Sequence, residues 1–326
     1  MNYREIKKEI VRESRNFRKF VKFLLKRKLS GFGFLLTILL LLFLPAQGYY
    51  QTVQGIWQEP EVVLGDFILP LPIAYPRAVA SNPPPEITAR GVIIFDLPSA
   101  VTLFEKNSHT RFLPASTVKM MTALVALDYF TLDQILEVSQ VSQEGQDIKL
   151  IDGERMTFEN LLYAVLVASA NDAAETLAAN YPGGTQAFVA QMNKKAQQLS
   201  LKDTYFTNPI GLDDIHQYTS PFDLALLARS ALLNPVFSQV VATRQKTIFD
   251  TTQEKAYELS NINQLLGAVP GVKGVKTGWT QEAGECLVTY IERENRKLVI
   301  VVLGSLDRFG ETEKLINWAF ENFEWK

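Results

Sequence analysis

The chain has 326 residues, 47% of them hydrophobic, enough for one large core and its appendages. A single cysteine, Cys286, excludes an intramolecular disulfide and multi-cysteine zinc sites, and two histidines, His109 and His216, argue against a histidine-rich metal centre. The net charge of −2 is divided: residues 1–28 hold 11 Lys/Arg and 3 Asp/Glu, a charge of +8, so the rest carries −10, an acidic body unsuited to nucleic acid.

The basic head borders an apolar run. Residues 29–48, containing "GFGFLLTILLLLFLP", carry no charge, and roughly 20 apolar residues span a bilayer as a helix. Lys22, Lys26, Arg27 and Lys28 mark its cytoplasmic flank. The expected layout is a cytoplasmic segment 1–28, a single-pass anchor 29–48 in the cell membrane, and an extracytoplasmic remainder. A cleaved signal peptide is the alternative, because Phe32–Leu44 has the length of a signal core and Ala46-Gln47-Gly48 is a small-x-small site. Residues 49–86 read as a semi-stiff tether, with part of it lying on the domain as the further expectation, since seven of the 15 prolines lie between Pro60 and Pro85 and proline favours extended chain.

Residues 87–326 read as the main domain. "RGVIIFDLPSAVTLFEKN" predicts two strands around a Pro-Ser turn. A helix follows from Ser116, with Pro114 before it and Ser116 at or near its N-cap; Val118, Met121 and Val125 form its apolar face. Helices are expected at Thr157–Ala168 and about Asp172–Asn180, the second opening on an Asp172/Glu175 capping box, with Ser169-Ala-Asn171 in the turn between. Another helix begins near Ser220. "GVKGVKTGW", "ECLVTYIER" and "KLVIVVLGS" predict three strands, the last two joined at Glu294-Asn295. A closing helix, "ETEKLINWAFENFEW", spaces Leu315, Ala319 and Phe323 along one face. The fold class is α+β: one antiparallel sheet built from both ends of the chain, with helices between. Cys286, Trp318, Phe320 and Trp325 read as packing residues, and His216 as a cleft wall or surface residue.

Three motifs carry chemistry: Ser116-Thr-Val-Lys119, Ser169-Ala-Asn171 and Lys276-Thr277-Gly278. Residues three apart share a helix face, so Lys119 can reach the Ser116 hydroxyl. Serine is a poor nucleophile until a base takes its proton, and a neutral lysine can be that base. Burial and a second cation, Lys276, would both lower its pKa. Ser169 would relay protons and Asn171 hold a substrate amide. The Lys276-Thr277-Gly278 strand would take an extended peptide along its edge, with Gly278 permitting close approach. The backbone N–H groups of Ser116 and Trp279 would form an oxyanion hole. No metal or cofactor is needed.

These motifs resemble those of the serine D-alanyl-D-alanine carboxypeptidases, low-molecular-mass penicillin-binding proteins of the β-lactamase/transpeptidase-like superfamily. The similarity extends through "ARGVIIFDLPSAVTLFEKNSHTRFLPASTVKMMTALVAL", "LLYAVLVASANDAAETLA", "NPIGLDDIHQYTSPFDLALLAR" and "GVKGVKTGWTQEAGECLVTY", and covers about residues 87–326. It implies a five-stranded antiparallel sheet flanked by helices, with a helical subdomain. It implies acylation of Ser116 by peptidoglycan stem peptides ending in D-Ala-D-Ala, then hydrolysis, with β-lactams as trapping inhibitors. Thr277 and Arg308 would bind the terminal carboxylate. The chain ends 48 residues after Gly278, so the C-terminal β-rich domain of many members is expected to be absent. Endopeptidase action, a β-lactamase and a catalytically idle wall-binding protein are the competing readings. "DTYFTNPIGLDD" has no E-x-x-L-N deacylation pattern, which speaks against the lactamase.

Overall fold

The computed structural model describes residues 74–80, 82–139 and 145–326, together with Lys19. The expected anchor 29–48 and nearly all of the basic segment and the tether up to 73 lie outside the described residues. Among the described residues no single helix is long and apolar enough to cross a membrane.

Pro72–Lys326 forms one compact unit. Its centre is a five-stranded antiparallel sheet ordered β3 (Thr102–Lys106), β2 (Gly91–Asp96), β10 (Arg296–Ser305), β9 (Gly284–Arg293) and β8 (Val272–Thr280). Both chain ends thus supply strands, as the change of period predicts. The central strands read as unbroken apolar runs because both sheet faces are covered. In β2, Ile93 and Phe95 join the larger core while Val92 and Ile94 join the smaller one. β10 divides in the same way, Val299, Val301 and Leu303 against Leu298, Ile300 and Val302. Each such fully buried side chain contributes about 1.5–3 kcal/mol. Glu294 and Asn295 turn the β9–β10 hairpin with φ of 48° and 67°.

The helical half holds α1 (Lys119–Tyr129), α2 (Phe158–Val167), α3 (Asn171–Ala179), α4 (Gly184–Gln198), α5 (Pro221–Leu232) and α6 (Pro235–Val241). Short two-stranded sheets pair β4 (Ile135–Glu137) with β5 (Arg155–Thr157), and β6 (Gln245–Phe249) with β7 (Ala256–Ser260). α7 (Arg308–Asn322) covers the opposite sheet face with Leu315, Ile316 and Ala319. Thr157 and Ser220 cap α2 and α5 by accepting from Asn160 N and Asp223 N. The sequence reading does not include α4, α6 or the β6–β7 hairpin.

Four local expectations are corrected. Ser116 caps nothing: Ala115–Val118 is a 3₁₀ turn preceding α1, and no side chain caps either. Asp172 is not the N-cap, because the helix opens at Asn171 behind Ala170; its carboxylate accepts from Ala173 N of the first turn at 2.8 Å and, outside the helix, from Ile148 N at 3.2 Å and Leu150 N at 2.9 Å. Phe323 does not continue the closing helix; it begins β11 (Phe323–Trp325). That strand pairs with β1 (Pro76–Ala78), so the compact unit begins before residue 87 and takes in the part of the tether expected to lie on the domain. Trp318 and Trp325 pack against the smaller core, and their indole N–H groups donate to Asn82 O and Asp96 Oδ1. His216 is exposed.

Candidate active site

A cleft of about 740 Å³ opens between the exposed edge of β8 and the helical half. Its lining includes Ser116, Ser169, Asn171, Thr277, Gly278, Trp279 and Arg308. Lys119 and Lys276 are buried in its floor, 0% and 2% exposed. All nine residues singled out by the motifs and the resemblance are therefore gathered at one cleft, from segments up to 192 positions apart.

The local fold explains the placement of Ser116. Ala115 has φ +46°, a left-handed kink that starts the 3₁₀ turn. Gly278 lies directly against this turn: a Cβ there would stand 2.9 Å from Ser116 N and 3.0 Å from Ala115 Cβ. Gly211 (φ +93°) presses from the other side, with room for no side chain against Ala115 O. Two glycines thus let the turn sit between a strand edge and a loop.

Lys119 Nζ makes three contacts, to Ser116 Oγ at 2.9 Å, Asn171 Oδ1 at 2.7 Å and Ile210 O at 2.6 Å. Burial lowers its pKa to about 7, against the opposing pull of Glu175 and Asp172. Burial, the first of the two expected causes, is the largest. Lys119 and Lys276 also repel each other, and the Lys276 pKa is lowered well below normal by burial first, then by Lys119 and Arg308. Lys276 Nζ donates to Ser169 Oγ at 2.8 Å and Thr277 O at 3.0 Å. Ser169 itself sits at φ +59°, an uncommon conformation for serine, in the short link from α2 to α3.

Asn171 Oδ1 faces Lys119, so that oxygen orients the amine rather than a substrate amide. Arg308 opens α7, where its Nη1 donates to Gly278 O at 2.7 Å and its buried Nε has no partner. The guanidinium lines the cleft next to the Thr277–Gly278 strand, where a planar cation suits a carboxylate. β8 pairs only with β9 among the described residues, leaving its cleft-side edge open to an added strand. Trp279 is 62% exposed at that edge. Cys286 is buried, and burial pushes its thiol up to about 11, so it is an inert packing residue.

Part of the site escapes sequence reasoning. Asn208 Oδ1 accepts from the N–H groups of Ile210, Gly211 and Leu212, and that turn aims Ile210 O at Lys119. The cleft also takes Gly145, Gln146, Asp213, Ile262, Thr280 and Gln281. The Asn-Pro pair at 208–209 is a turn signal that could have pointed to the first; nothing local marks the others. Among the described residues no group of three or more His, Cys, Asp or Glu is placed to hold a metal ion.

Comparison with known proteins agrees with this geometry. A family model described as D-alanyl-D-alanine carboxypeptidase matches residues 78–306. The chain is 33% identical over 246 residues to D-alanyl-D-alanine carboxypeptidase DacF of Bacillus subtilis, covering 72% of this chain but only 63% of that relative. It is 32% identical over 264 residues to a D-alanyl-D-alanine endopeptidase of Pseudomonas aeruginosa, covering 76% of this chain and 85% of the relative. Among solved structures, the Streptomyces K15 DD-transpeptidase superposes with a TM-score of 0.70 at 31% identity, covering 74% of this chain and all of that one. The match to the family model over most of the compact unit, on a sheet and cleft of this kind, means that the chain belongs to the D-alanyl-D-alanine carboxypeptidase family of penicillin-binding serine peptidases.

Proposed function

We propose that this protein is a serine D-alanyl-D-alanine carboxypeptidase that removes the terminal D-Ala from peptidoglycan stem peptides. The observation that carries the reading is the buried Lys119 amine 2.9 Å from the Ser116 hydroxyl, with a pKa lowered to about 7. Near neutral pH a large fraction of that amine is unprotonated and able to take the serine proton. Ser116 Oγ attacks the carbonyl of the penultimate D-Ala as its proton passes to Lys119 Nζ. The oxyanion is held by the backbone N–H groups of Ser116 and Trp279. The C–N bond then breaks, the amine leaves as D-Ala after gaining a proton, and the Ser169 hydroxyl on Lys276 supplies the short path for it. Water hydrolyses the acyl-serine and restores the hydroxyl. Thr277 and Arg308 bind the terminal carboxylate, which the place of both residues in the cleft lining supports.

The membrane assignment is part of the proposal. The uncharged run 29–48 behind Lys22, Lys26, Arg27 and Lys28 supports a single-pass anchor, with the active site on the extracytoplasmic side.

The test is intact-mass spectrometry with benzylpenicillin, followed by D-Ala release from a D-Ala-D-Ala peptide. A lasting adduct absent from Ser116→Ala, with D-Ala released, is the expected result. Drug consumed without a lasting adduct would mean a β-lactamase, and a folded protein with neither would mean an idle homologue. The endopeptidase relative supports a second reading, which cleavage of a cross-linked peptide dimer would establish.

A further inference from the structure

Arg308 reaches the cleft from α7, the helix that covers the opposite face of the sheet. Its reach therefore depends on where that helix begins. Two local contacts set the start: Asp307 Oδ1 accepts from Gly310 N at 2.9 Å, and Asp307 N donates to Ser305 Oγ at 2.9 Å. A third comes from another strand, because Arg308 N donates to Glu285 Oε2 of β9 at 2.8 Å.

The period of β9 places Glu285 for this contact. Alternate residues of a strand share a face. Leu287 and Ile291, two and six positions on, belong to the smaller core that α7 covers. Glu285 thus stands half-buried at the rim of an apolar face, in register with Trp279 of β8 and Ser305 of β10. A carboxylate is costly there unless it is partnered. Its partner is the first N–H of α7, one of the donors a helix leaves unpaired at its N-terminus, where the helix dipole also favours negative charge.

Arg308 is therefore fixed at both ends, its backbone N–H by Glu285 and its guanidinium by Gly278 O at 2.7 Å. The Glu285 charge also favours the guanidinium cation, against the burial that lowers its pKa. These contacts tie β9, α7 and β8 together, so the distance from the start of the helix to the Thr277–Gly278 strand is set through Glu285.

We propose that Glu285 is a positioning residue, acting through Arg308 to hold the guanidinium where the terminal carboxylate of the peptide binds. This rests on the carboxypeptidase reading and on the Thr277–Arg308 carboxylate site within it. Glu285 lies outside the cleft lining and touches no substrate. Without it the start of α7 is freed and the guanidinium spreads over orientations that miss the carboxylate, which weakens binding and leaves the chemistry alone.

The test is steady-state D-Ala release from Nα,Nε-diacetyl-L-Lys-D-Ala-D-Ala by the full chain, with competent Ser116 counted as benzylpenicillin adduct. Glu285→Ala is expected to raise KM about fivefold, near the worth of one hydrogen bond, with kcat per competent serine unchanged. Glu285→Gln keeps an acceptor oxygen for the Arg308 N–H and should recover most of the KM, which mere loss of stability would not predict. In an Arg308→Ala background, Glu285→Ala should lower kcat/KM by less than about twofold, since no guanidinium is left to place. An unchanged KM in Glu285→Ala, a fall confined to kcat or to the number of competent serines, or the full loss repeated without Arg308, overturns the inference. In each of those cases D-Ala release by wild type leaves the carboxypeptidase reading standing. No adduct and no D-Ala release from wild type would remove both.

Discussion

Lys119 Nζ and Ser116 Oγ stand 2.9 Å apart, and the other two contacts of the amine are both acceptors, Asn171 Oδ1 and Ile210 O. A neutral amine has two hydrogens and one lone pair. It can give both hydrogens to those acceptors and turn the lone pair to the serine hydroxyl. A protonated amine spends its third hydrogen on the serine oxygen and cannot take its proton.

Acylation should therefore follow the neutral fraction of Lys119. Its rate with benzylpenicillin is expected to rise with pH up to about 7 and to level off above, since the base form exists above its pKa. Lys119→Met should slow acylation on the order of 10²- to 10⁴-fold, the usual worth of a general base. Timed intact-mass measurements across pH would check both, and a profile flat through neutrality would remove Lys119 as the base.

Asp172 should tune that base while also holding the cleft wall. Its charge raises the Lys119 pKa, and its carboxylate accepts from Ile148 N and Leu150 N. In Asp172→Asn the rising limb of the acylation profile is expected to move to lower pH, because the attraction favouring the lysine cation is gone. Loss of the ionised acceptor should cost about 1–3 kcal/mol of stability, read by urea unfolding. An unmoved limb would mean that the two groups do not communicate.

Gly278 should tolerate no side chain. In Gly278→Ala the new methyl would meet Ser116 N at 2.9 Å and Ala115 Cβ at 3.0 Å, both on the nucleophile's own turn. The expected outcome is a fall in acylation of on the order of 10²-fold, the scale of losing oxyanion stabilisation. The overpacking should cost about 1–3 kcal/mol of stability. A near-normal acylation rate would show that the turn can retreat from β8.

Arg308 should act on peptide binding more than on turnover. Removing its guanidinium in Arg308→Ala is expected to raise KM for a D-Ala-D-Ala peptide by about tenfold or more, as for a lost charge-assisted hydrogen bond. Arg308→Lys should recover only part, since an ammonium lacks the planar fork. Steady-state D-Ala release separates the two constants; an unchanged KM would place the carboxylate elsewhere.

Several elements are legible in the sequence because their causes are local. β2, β9 and β10 are apolar runs bounded by turn residues, and Ser220-Pro221 opens α5 with a cap and an N1 proline. α4 is hidden because its helical stripe is thin: Phe188, Met192 and Ala196 are its only buried residues, and a left-handed Gly183 precedes it without a side-chain cap. Ser116 imitates a cap because a serine just before an apolar helical stripe is a usual start of a helix. The left-handed Ala115 between Pro114 and Ser116 has no sequence marker. Glu311 is also hidden: it is buried at the start of α7, accepting from Ala89 N and Ser305 Oγ, and looks in sequence like an ordinary surface glutamate.

By itself the sequence determined which groups were present and at what local spacing. Ser116 lies three residues before Lys119, Ser169 lies two residues before Asn171 at the opening of α3, and Lys276, Thr277 and Gly278 share one strand. Those relations depend only on nearness in sequence and local backbone geometry. The tertiary structure decided the rest. It set which acceptors surround Lys119, that Lys119 and Lys276 are buried close enough to repel each other, and that Arg308 joins the same cleft. Burial and long-range contact are properties of the whole fold, and the pKa of a lysine follows its surroundings rather than its neighbours in sequence.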